Sequence, residues 1–294
     1  MTSFGTTLHQ LWKTLKRWRH IGIGPVGLHL KLERRVKVLQ SRASSDDAPV
    51  SAPGAVAVGK AGGYAVIVGV GPGFGHALAH SLAGEGMGVV LVARNADRLS
   101  ALVDAIKAKG GSAFAYGCDA THESRVLALF TMLAARHGVP ALVVYSLQNF
   151  GPGDAVDIEL SAFEDGFRHN CLGAFLVARS AARAMLPVAS GTIILVGSTS
   201  SLIGRAGHLN LAVGKFAQRA LAQVLARELW PQGIHVAHLV IDADIKEDET
   251  AVPYTQSYPD HIAQALIAIY RQPRTAWSSE IDLRPWNEEF WQHC

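Results

Sequence analysis

The sequence has few cysteines, a nearly balanced charge and no apolar run that looks long enough to span a membrane. Its three cysteines are odd in number and widely spaced, which excludes a disulfide framework and a cysteine metal site and favours a reducing compartment. The net charge of +3 over 294 residues gives no reason to expect a nucleic-acid partner. Because a membrane-spanning helix needs about 20 apolar residues, we expect none. No metal site is predicted.

The first ~60 residues differ in composition from the rest of the chain. Nine lysines and arginines occur before Asp46, opposed only by Glu33, and residues 48–63 are rich in alanine, proline and glycine. We therefore predict a basic N-terminal extension with a linker over residues 1–60 and one domain over residues 61–294.

Three interpretations of the extension stay open. It is a poorly ordered segment, an organelle presequence over residues 1–45, or a basic helix over residues 8–40 that lies on an anionic membrane. The first interpretation goes with a cytoplasmic protein and the second with an organelle matrix.

From Tyr64 onward, strand-like and helix-like runs alternate. The strand-like runs are continuous in valine, isoleucine and leucine, as expected when helices cover both faces of a parallel sheet. Strands are predicted at 65–68, 89–93, 113–116, 141–145, 192–196 and 234–241. Helices are predicted at 76–83, 98–108, 123–137, 161–168, 173–186 and 215–229. This alternation predicts an α/β fold of the Rossmann type, a doubly wound parallel sheet in a single domain.

A glycine-rich turn follows the first predicted strand and opens a helix. Gly69 allows the tight turn, Gly73 lets the backbone approach a pyrophosphate, and Gly75 lets the helix pack close to the strand. The helix N-terminus then offers free N–H groups to the anion. The turn predicts a dinucleotide-binding site that also includes Gly71 and Phe74.

The residues after the second strand bear on which dinucleotide binds. The position at which an acid would hold the ribose hydroxyls of NAD is Ala93, and Arg94 follows it. An arginine there can pair with a 2′-phosphate. We therefore expect NADP(H) in preference to NAD(H). The alternative is that Arg94 only faces solvent.

With these residues, the segment 64–245 resembles the short-chain dehydrogenase/reductase family. The glycine turn has the spacing of the family pattern, and Asp119 matches the acid that holds the adenine ring. Asn170 matches the asparagine of the central helix, Ser198 the serine after the fifth strand, and Lys215 the lysine that opens the next helix. The resemblance implies a small-molecule substrate and a homodimer or homotetramer.

The resemblance also implies a division of labour. In the family, a tyrosine four residues before the lysine donates a proton as hydride arrives, and the lysine lowers that tyrosine's pKa and holds the nicotinamide ribose. The serine polarises the carbonyl, and the asparagine fixes a water in the proton relay. In this sequence Leu211 occupies the position of the tyrosine, and it has no proton to give.

Two further motifs depart from the family. The fourth strand ends in Tyr-Ser-Leu-Gln at 145–148, where the family has Asn-Asn-Ala-Gly, and Ile-Asp at 241–242 replaces Pro-Gly. Ser146 ends a strand at the carboxyl edge of the sheet, where ligands bind, so we count it among the cofactor contacts. Tyr145 is either a substitute hydroxyl or a packed core tyrosine.

Several sources of the missing proton stay open. His208 stands seven residues before Lys215, where the enoyl-reductase branch of the family has its tyrosine, and histidine titrates near neutral pH. His208 is then the substitute acid, or it is a loop histidine bonded to backbone or water. A third route is a relay through the ribose hydroxyl, Lys215 and a water held by Asn170.

The sequence therefore supports two leading hypotheses. The first is an NADP(H)-dependent oxidoreductase that acts on a carbonyl or an activated alkene, with Ser198, Lys215, Asn170 and His208 as its catalytic residues. The second is a sensor or scaffold that binds NADP(H) without turnover. A membrane-peripheral protein anchored by residues 8–40 is a third.

Overall fold

The computed structural model describes residues 63–245 and 256–286, so the predicted N-terminal extension, residues 1–60, lies outside the described residues. Seven parallel strands form one sheet in the order β3-β2-β1-β4-β5-β6-β7. They are β1 (Tyr64–Val68), β2 (Gly88–Ala93), β3 (Ala113–Gly117), β4 (Leu142–Tyr145), β5 (Gly191–Ser198), β6 (Ile234–Ile241) and β7 (Glu280–Leu283). The doubly wound α/β prediction is confirmed.

Helices cover both faces of this sheet. They are α1 (Phe74–Gly84), α2 (Ser100–Ala108), α3 (Glu123–His137), α4 (Leu160–Phe167), α5 (Gly173–Met185), α6 (Leu209–Leu229) and α7 (Pro259–Tyr270). Alternate residues of each strand enter opposite cores, because successive side chains of a strand point to opposite faces. In β1, Val66 and Val68 pack with α3, α5 and α6, while Ala65 and Ile67 pack with α1, α2 and α7.

The strand order reverses between β1 and β4, and this reversal positions the functional site. After β3 the chain crosses to the other side of β1, so the segments that follow β1 and β4 diverge above a crevice. The two segments approach closely at Gly69, where an added Cβ would lie 2.8 Å from the backbone nitrogen of Leu147. The crevice at the carboxyl edge is therefore narrow at its base.

Helix α6 begins earlier than predicted. The sequence placed the helix start at Lys215, but α6 begins at Leu209, so Lys215 lies in the second turn. Gly214 lies inside α6. Because Gly214 has no side chain, Asn170 can pack closely against it. A Cβ added at Gly214 would lie only 2.5 Å from the Cβ of Asn170.

One helical stretch is longer and more apolar than the sequence indicated. Leu160–Val188 is one helical stretch of 29 residues, and its most apolar window has a mean hydropathy of 1.3. By length and composition alone, such a stretch could cross a bilayer. The stretch is long because a π-helical turn, Arg168–Leu172, joins α4 to α5 without a break. Half of that window is buried inside the fold, as expected of a core helix.

Three histidines buried to different degrees make the stability depend on pH. Burial lowers the pKa of His137, His235 and His238 below the ordinary value of 6.5. The unfolded chain therefore binds more protons than the folded one below about pH 6.5, and stability falls as the pH falls. We expect a melting temperature that drops between about pH 6.5 and 5, where these histidines take up protons in the unfolded chain.

Thermal unfolding followed by circular dichroism tests this expectation. His235 stacks on Trp277 with ring centroids 4.8 Å apart, and its Nε2 contacts the Ser278 carbonyl at 2.9 Å. A His235→Phe variant keeps an aromatic ring there but cannot titrate, so its decline should be shallower. A melting temperature unchanged down to about pH 5 would contradict the prediction.

Candidate active site at the carboxyl edge of the sheet

A cavity of about 740 Å³ opens at the carboxyl ends of β1, β4, β5 and β6. Its wall contains eight of the residues predicted from sequence: Gly69, Gly71, Phe74, Gly75, Ser146, Ser198, His208 and Lys215. The other predicted residues, Gly73, Arg94, Asp119 and Asn170, are not part of this wall. The cavity therefore unites the phosphate turn with three of the four predicted catalytic residues.

The glycine turn has the geometry that an anion needs. Gly69 and Gly73 have φ values of 92° and 74°, which glycine adopts without strain. Gly73 caps α1 without any side-chain hydrogen bond, and the first turn of α1 contains no acid. The first N–H groups of α1 thus remain available to a ligand. Open space surrounds Gly71, where an added Cβ would meet no atom within 4 Å.

Lys215 is almost fully buried in the cavity wall, with 2% of its surface exposed. Its ammonium donates to the carbonyls of Val196 (2.8 Å) and Leu147 (3.3 Å) and to Oε1 of Gln218 (3.4 Å). Burial lowers the pKa of Lys215 to about 7. An ammonium has three N–H donors, so each of them has an acceptor within the protein. Lys215 joins the segment after β4 to the end of β5.

Ser198 ends β5 and begins a tight turn. Its backbone N–H donates to Oγ of Ser201 at 3.2 Å. The next residue, Thr199, donates its hydroxyl to Asp242, whose carboxylate also pairs with Arg284. Asp242, which stands where the family has Pro-Gly, is thus bound by the Thr199 hydroxyl and the Arg284 guanidinium. These contacts offset its negative charge beside the cavity.

His208 lies just before α6 and faces the cavity. Its Nδ1 contacts the carbonyl of Ala206 at 3.0 Å, and its ring stacks on Phe150 with centroids 4.8 Å apart. A carbonyl only accepts, so Nδ1 carries a hydrogen. Nε2 then holds a lone pair in the neutral ring and a proton in the charged ring. The ring thus contacts backbone, and it also borders the cavity, so the role of His208 as the acid stays a prediction.

In the same wall, a leucine occupies the position at which the family has a tyrosine hydroxyl. Leu211 lines the cavity and is 5% exposed. No tyrosine contributes to the wall among residues 63–245 and 256–286. Tyr145 is completely buried, and its hydroxyl donates to the carbonyl of His169. Burial raises the pKa of Tyr145. The core interpretation of Tyr145 is confirmed.

Asn170 lies on the π-helical turn, and its side-chain amide forms hydrogen bonds with the loop after β4. Its Oδ1 accepts from the backbone N–H of Asn149 at 2.9 Å, while Nδ2 donates to the Asn149 carbonyl at 2.8 Å. A longer bond of 3.4 Å reaches the carbonyl of Asn210. The amide thus joins the loop after β4 to α6, and its part in a proton relay stays a prediction.

Arg94 and Asp119 lie beyond the cavity, after β2 and β3. Arg94 is exposed, and its side chain makes no hydrogen bond or ion pair within the described part of the chain. Asp119 accepts two bonds from Thr121, at 3.0 and 2.7 Å. Burial raises the pKa of Asp119, but these bonds and the neighbouring His122 outweigh it, so its pKa lies below the ordinary value.

The cavity wall also includes residues that no motif indicated. Phe150 and Arg205 belong to the loops after β4 and β5, and Ile245 belongs to a two-residue strand after β6 that pairs with Gln256–Ser257. The only available signal was that loops at the carboxyl edge of such a sheet bind ligands. Among the residues that the structure describes, no group of three histidines, cysteines or acids is placed to hold a metal ion.

Comparison with known proteins identifies the family. The family model for short chain dehydrogenases matches residues 63–244. The chain is 34% identical over 180 residues to sorbitol-6-phosphate 2-dehydrogenase of Escherichia coli, covering 60% of this chain and 70% of that protein. It is 25% identical over 248 residues to human dehydrogenase/reductase SDR family member 11, covering 75% of this chain and 93% of that protein.

Solved structures agree with these sequence matches. A short-chain dehydrogenase from Rhodopseudomonas palustris superposes with a TM-score of 0.68 at 32% identity, covering 76% of this chain and 99% of that one. A metagenomic short-chain oxidoreductase in complex with NADP gives 0.67 at 25% identity, covering 76% and 97%. The fold, the glycine turn and these matches agree: the chain belongs to the short-chain dehydrogenase family.

Proposed function

We propose that this chain is an NADP(H)-dependent oxidoreductase that reduces a carbonyl or an activated alkene on a small molecule. The observation that carries the proposal is the shared cavity, because one wall holds the glycine turn together with Ser198, His208 and Lys215. A pyrophosphate at the glycine turn places the rest of a dinucleotide between these side chains. Binding and chemistry then occur in one cavity.

Arg94 and Asp119 support the choice of cofactor. Arg94 is an exposed cation without a partner in the described residues, and it follows β2, where the adenosine ribose would lie. Its guanidinium suits a 2′-phosphate. Asp119 follows the neighbouring β3 and would contact the adenine. A related oxidoreductase has been crystallised with NADP, so NADP(H) is proposed over NAD(H).

Three side chains have separate roles in the proposed reaction. NADPH, when bound, supplies the hydride. The hydroxyl of Ser198 donates a hydrogen bond to the substrate oxygen and stabilises the negative charge that develops there. The Lys215 ammonium contributes positive charge at the base of the cavity. The Nε2–H of protonated His208 donates the proton that the absent tyrosine would supply.

NADPH consumption by the purified protein tests the proposal, with ketones, aldehydes, quinones and enoyl thioesters as candidate substrates. His208→Phe preserves the ring stack on Phe150 and removes the proton. We expect kcat to fall about 100-fold, at the lower end of the range for general acids because water can reach this half-buried ring. His169→Phe is the matched control. His169 also contacts a backbone carbonyl through Nδ1 (2.8 Å), but it lies outside the cavity wall.

A second candidate function is NADP(H) binding without turnover, as in a sensor or scaffold. Two observations favour it: Leu211 has no proton to give, and every N–H of Lys215 already has an acceptor within the protein. Tight NADPH binding with no consumption on any substrate would support this candidate and overturn the reductase proposal. Equal activity of His208→Phe and the parent would remove His208 as the proton donor.

We also propose that the chain self-associates through α5 and α6. Val213, Phe216 and Val224 form an exposed apolar stripe along α6, and Phe175 is exposed on α5. Light scattering after gel filtration should give a dimer or tetramer mass, and Phe216→Ser should shift it toward the monomer. A monomeric parent at micromolar concentration would contradict the prediction.

A further inference from the structure

An arginine in the cavity wall has no partner of its own. Arg205 follows β5, lines the cavity and is exposed. Its guanidinium makes no hydrogen bond or ion pair within residues 63–245 and 256–286. A guanidinium presents five N–H donors in a rigid fork. The cavity therefore has a cationic donor that the protein itself does not occupy and that the proposed reaction does not use.

The loop that contains Arg205 is held in place by its neighbours. The N–H of His208 donates to the Arg205 carbonyl at 3.2 Å and closes a turn, and the N–H of Gly153 donates to the Gly207 carbonyl, also at 3.2 Å. The ring of His208 also stacks on Phe150. These contacts join the loop after β5 to the loop after β4. The arginine is thus anchored through its backbone, while its guanidinium stays available to a ligand.

A second polar side chain without a partner lies on the same part of the wall. Gln148 stands where the family has glycine, lines the cavity and is exposed, and its amide makes no hydrogen bond in the described part of the chain. Gln148 precedes Phe150 by two residues, which span at most about 7 Å. The turn keeps the Cα atoms of Arg205 and His208 within about 7 Å. The stack of His208 on Phe150 therefore brings the amide and the guanidinium to one part of the cavity.

The acids of the cavity wall do not neutralise Arg205. Asp242 is bound by Thr199 and Arg284. Asp244 follows β6 and is exposed, and it forms no ion pair with Arg205 or with any other described residue. An anion that pairs with Arg205 must therefore come from a ligand.

We propose that Arg205 and Gln148 bind an oxyanion group of the substrate, which is a carboxylate or a phosphate. The guanidinium donates two parallel hydrogen bonds to the oxygens of this group, and the NH₂ of Gln148 donates a third. The inference rests on the proposed function, because it names the substrate class of the same cavity: an acidic ketone, aldehyde or alkene. Strand β5 lies two strands from β1, about 10 Å away, so a pyrophosphate at the glycine turn occupies a separate place.

Calorimetric binding to the protein saturated with NADP⁺ tests the inference without turnover. Two matched pairs serve as probes: phenylglyoxylate with its neutral methyl ester, and dihydroxyacetone phosphate with dihydroxyacetone. Each pair shares a keto group, so a difference in affinity within a pair reports the anionic group. We expect at least one anion to bind at least about tenfold more tightly than its neutral counterpart. The pair that shows the difference distinguishes a carboxylate from a phosphate.

Three variants assign that preference to its residues. Arg205→Gln removes the charge and keeps a polar side chain, and we expect it to bind the preferred anion at least about tenfold more weakly. Gln148→Leu removes one neutral donor and should cost about threefold. Arg168→Gln, at an exposed arginine outside the cavity wall, is the matched control and should bind like the parent. A parent without preference for either anion, or unchanged anion binding in Arg205→Gln, would overturn the inference.

Cofactor affinity and turnover separate this inference from its neighbours. NADPH should bind within about twofold of the parent in Arg205→Gln, and a loss equal to that of the anion would assign Arg205 to the cofactor and overturn the inference. The KM of a reduced anion should rise at least about tenfold in Arg205→Gln, with kcat within about threefold. A parent that binds the anion but consumes no NADPH removes the proposed reduction alone. A parent that reduces neutral ketones and prefers no anion removes this inference alone.

Discussion

A Lys215→Met variant is expected to lose about 1,000-fold in kcat for NADPH-dependent reduction. Methionine matches the buried aliphatic stem but has no charge, so the base of the cavity loses its cation. Preorganised charge of this kind contributes about 100- to 1,000-fold in enzyme sites, and the upper value is expected because this ammonium is buried. Initial rates with saturating NADPH, measured beside the parent protein, give the comparison.

The same variant separates a catalytic role from a structural one. Removing the ammonium takes one donor from each of the carbonyls of Val196 and Leu147, but it also removes the cost of burying a charge. We therefore expect unfolding free energy to change by less than about 2 kcal/mol. Lys107→Met, at an exposed lysine of α2, is the control. Turnover within threefold of the parent would assign Lys215 a structural role alone.

Gly69→Ala is expected to damage the fold itself. Its Cβ would lie 2.8 Å from the Leu147 nitrogen, and the residue has a φ of 92°, which alanine adopts only with strain. Overpacking and a left-handed backbone together cost about 3 kcal/mol. For a domain of this size that corresponds to a melting temperature about 6–12 °C lower. Calorimetry or circular dichroism would measure it.

Gly71→Ala is the matched comparison at the same turn. An added Cβ there meets no protein atom within 4 Å, so the melting temperature should stay within about 2 °C of the parent. The methyl group would occupy space beside the proposed pyrophosphate, so NADPH should bind at least about tenfold more weakly, a loss of about 1.4 kcal/mol. Unchanged affinity in Gly71→Ala would place the cofactor away from Gly71.

The elements that the sequence predicted best are those with the clearest pattern. The predicted and observed bounds coincide for α3 (123–137) and β6 (234–241). The first is a long amphipathic helix and the second a completely buried, mostly apolar strand, and both patterns indicate burial directly. The glycine turn was equally predictable, because its backbone conformations require glycine whatever surrounds it.

The contacts that characterise the site were not predictable. The stacking of Phe150 on His208 joins residues 58 positions apart, and neither residue belongs to a motif that indicates the other. The acceptors of Lys215 are mostly backbone carbonyls, which leave no trace in a sequence. Asn170 matched a family position, but its amide bonds to Asn149 depend on a loop whose conformation the sequence does not encode in any simple pattern.

The position of β7 has a consequence for how the protein is synthesised. A nascent chain that has emerged as far as residue 245 already contains every residue of the cavity wall. It still lacks Glu280, which reaches β6 only when the last strand joins the edge of the sheet. His238 would therefore lack its carboxylate partner until Glu280 has been synthesised. Synthesis of the cavity wall and completion of the sheet edge beside β6 are then two successive events, and the second awaits β7.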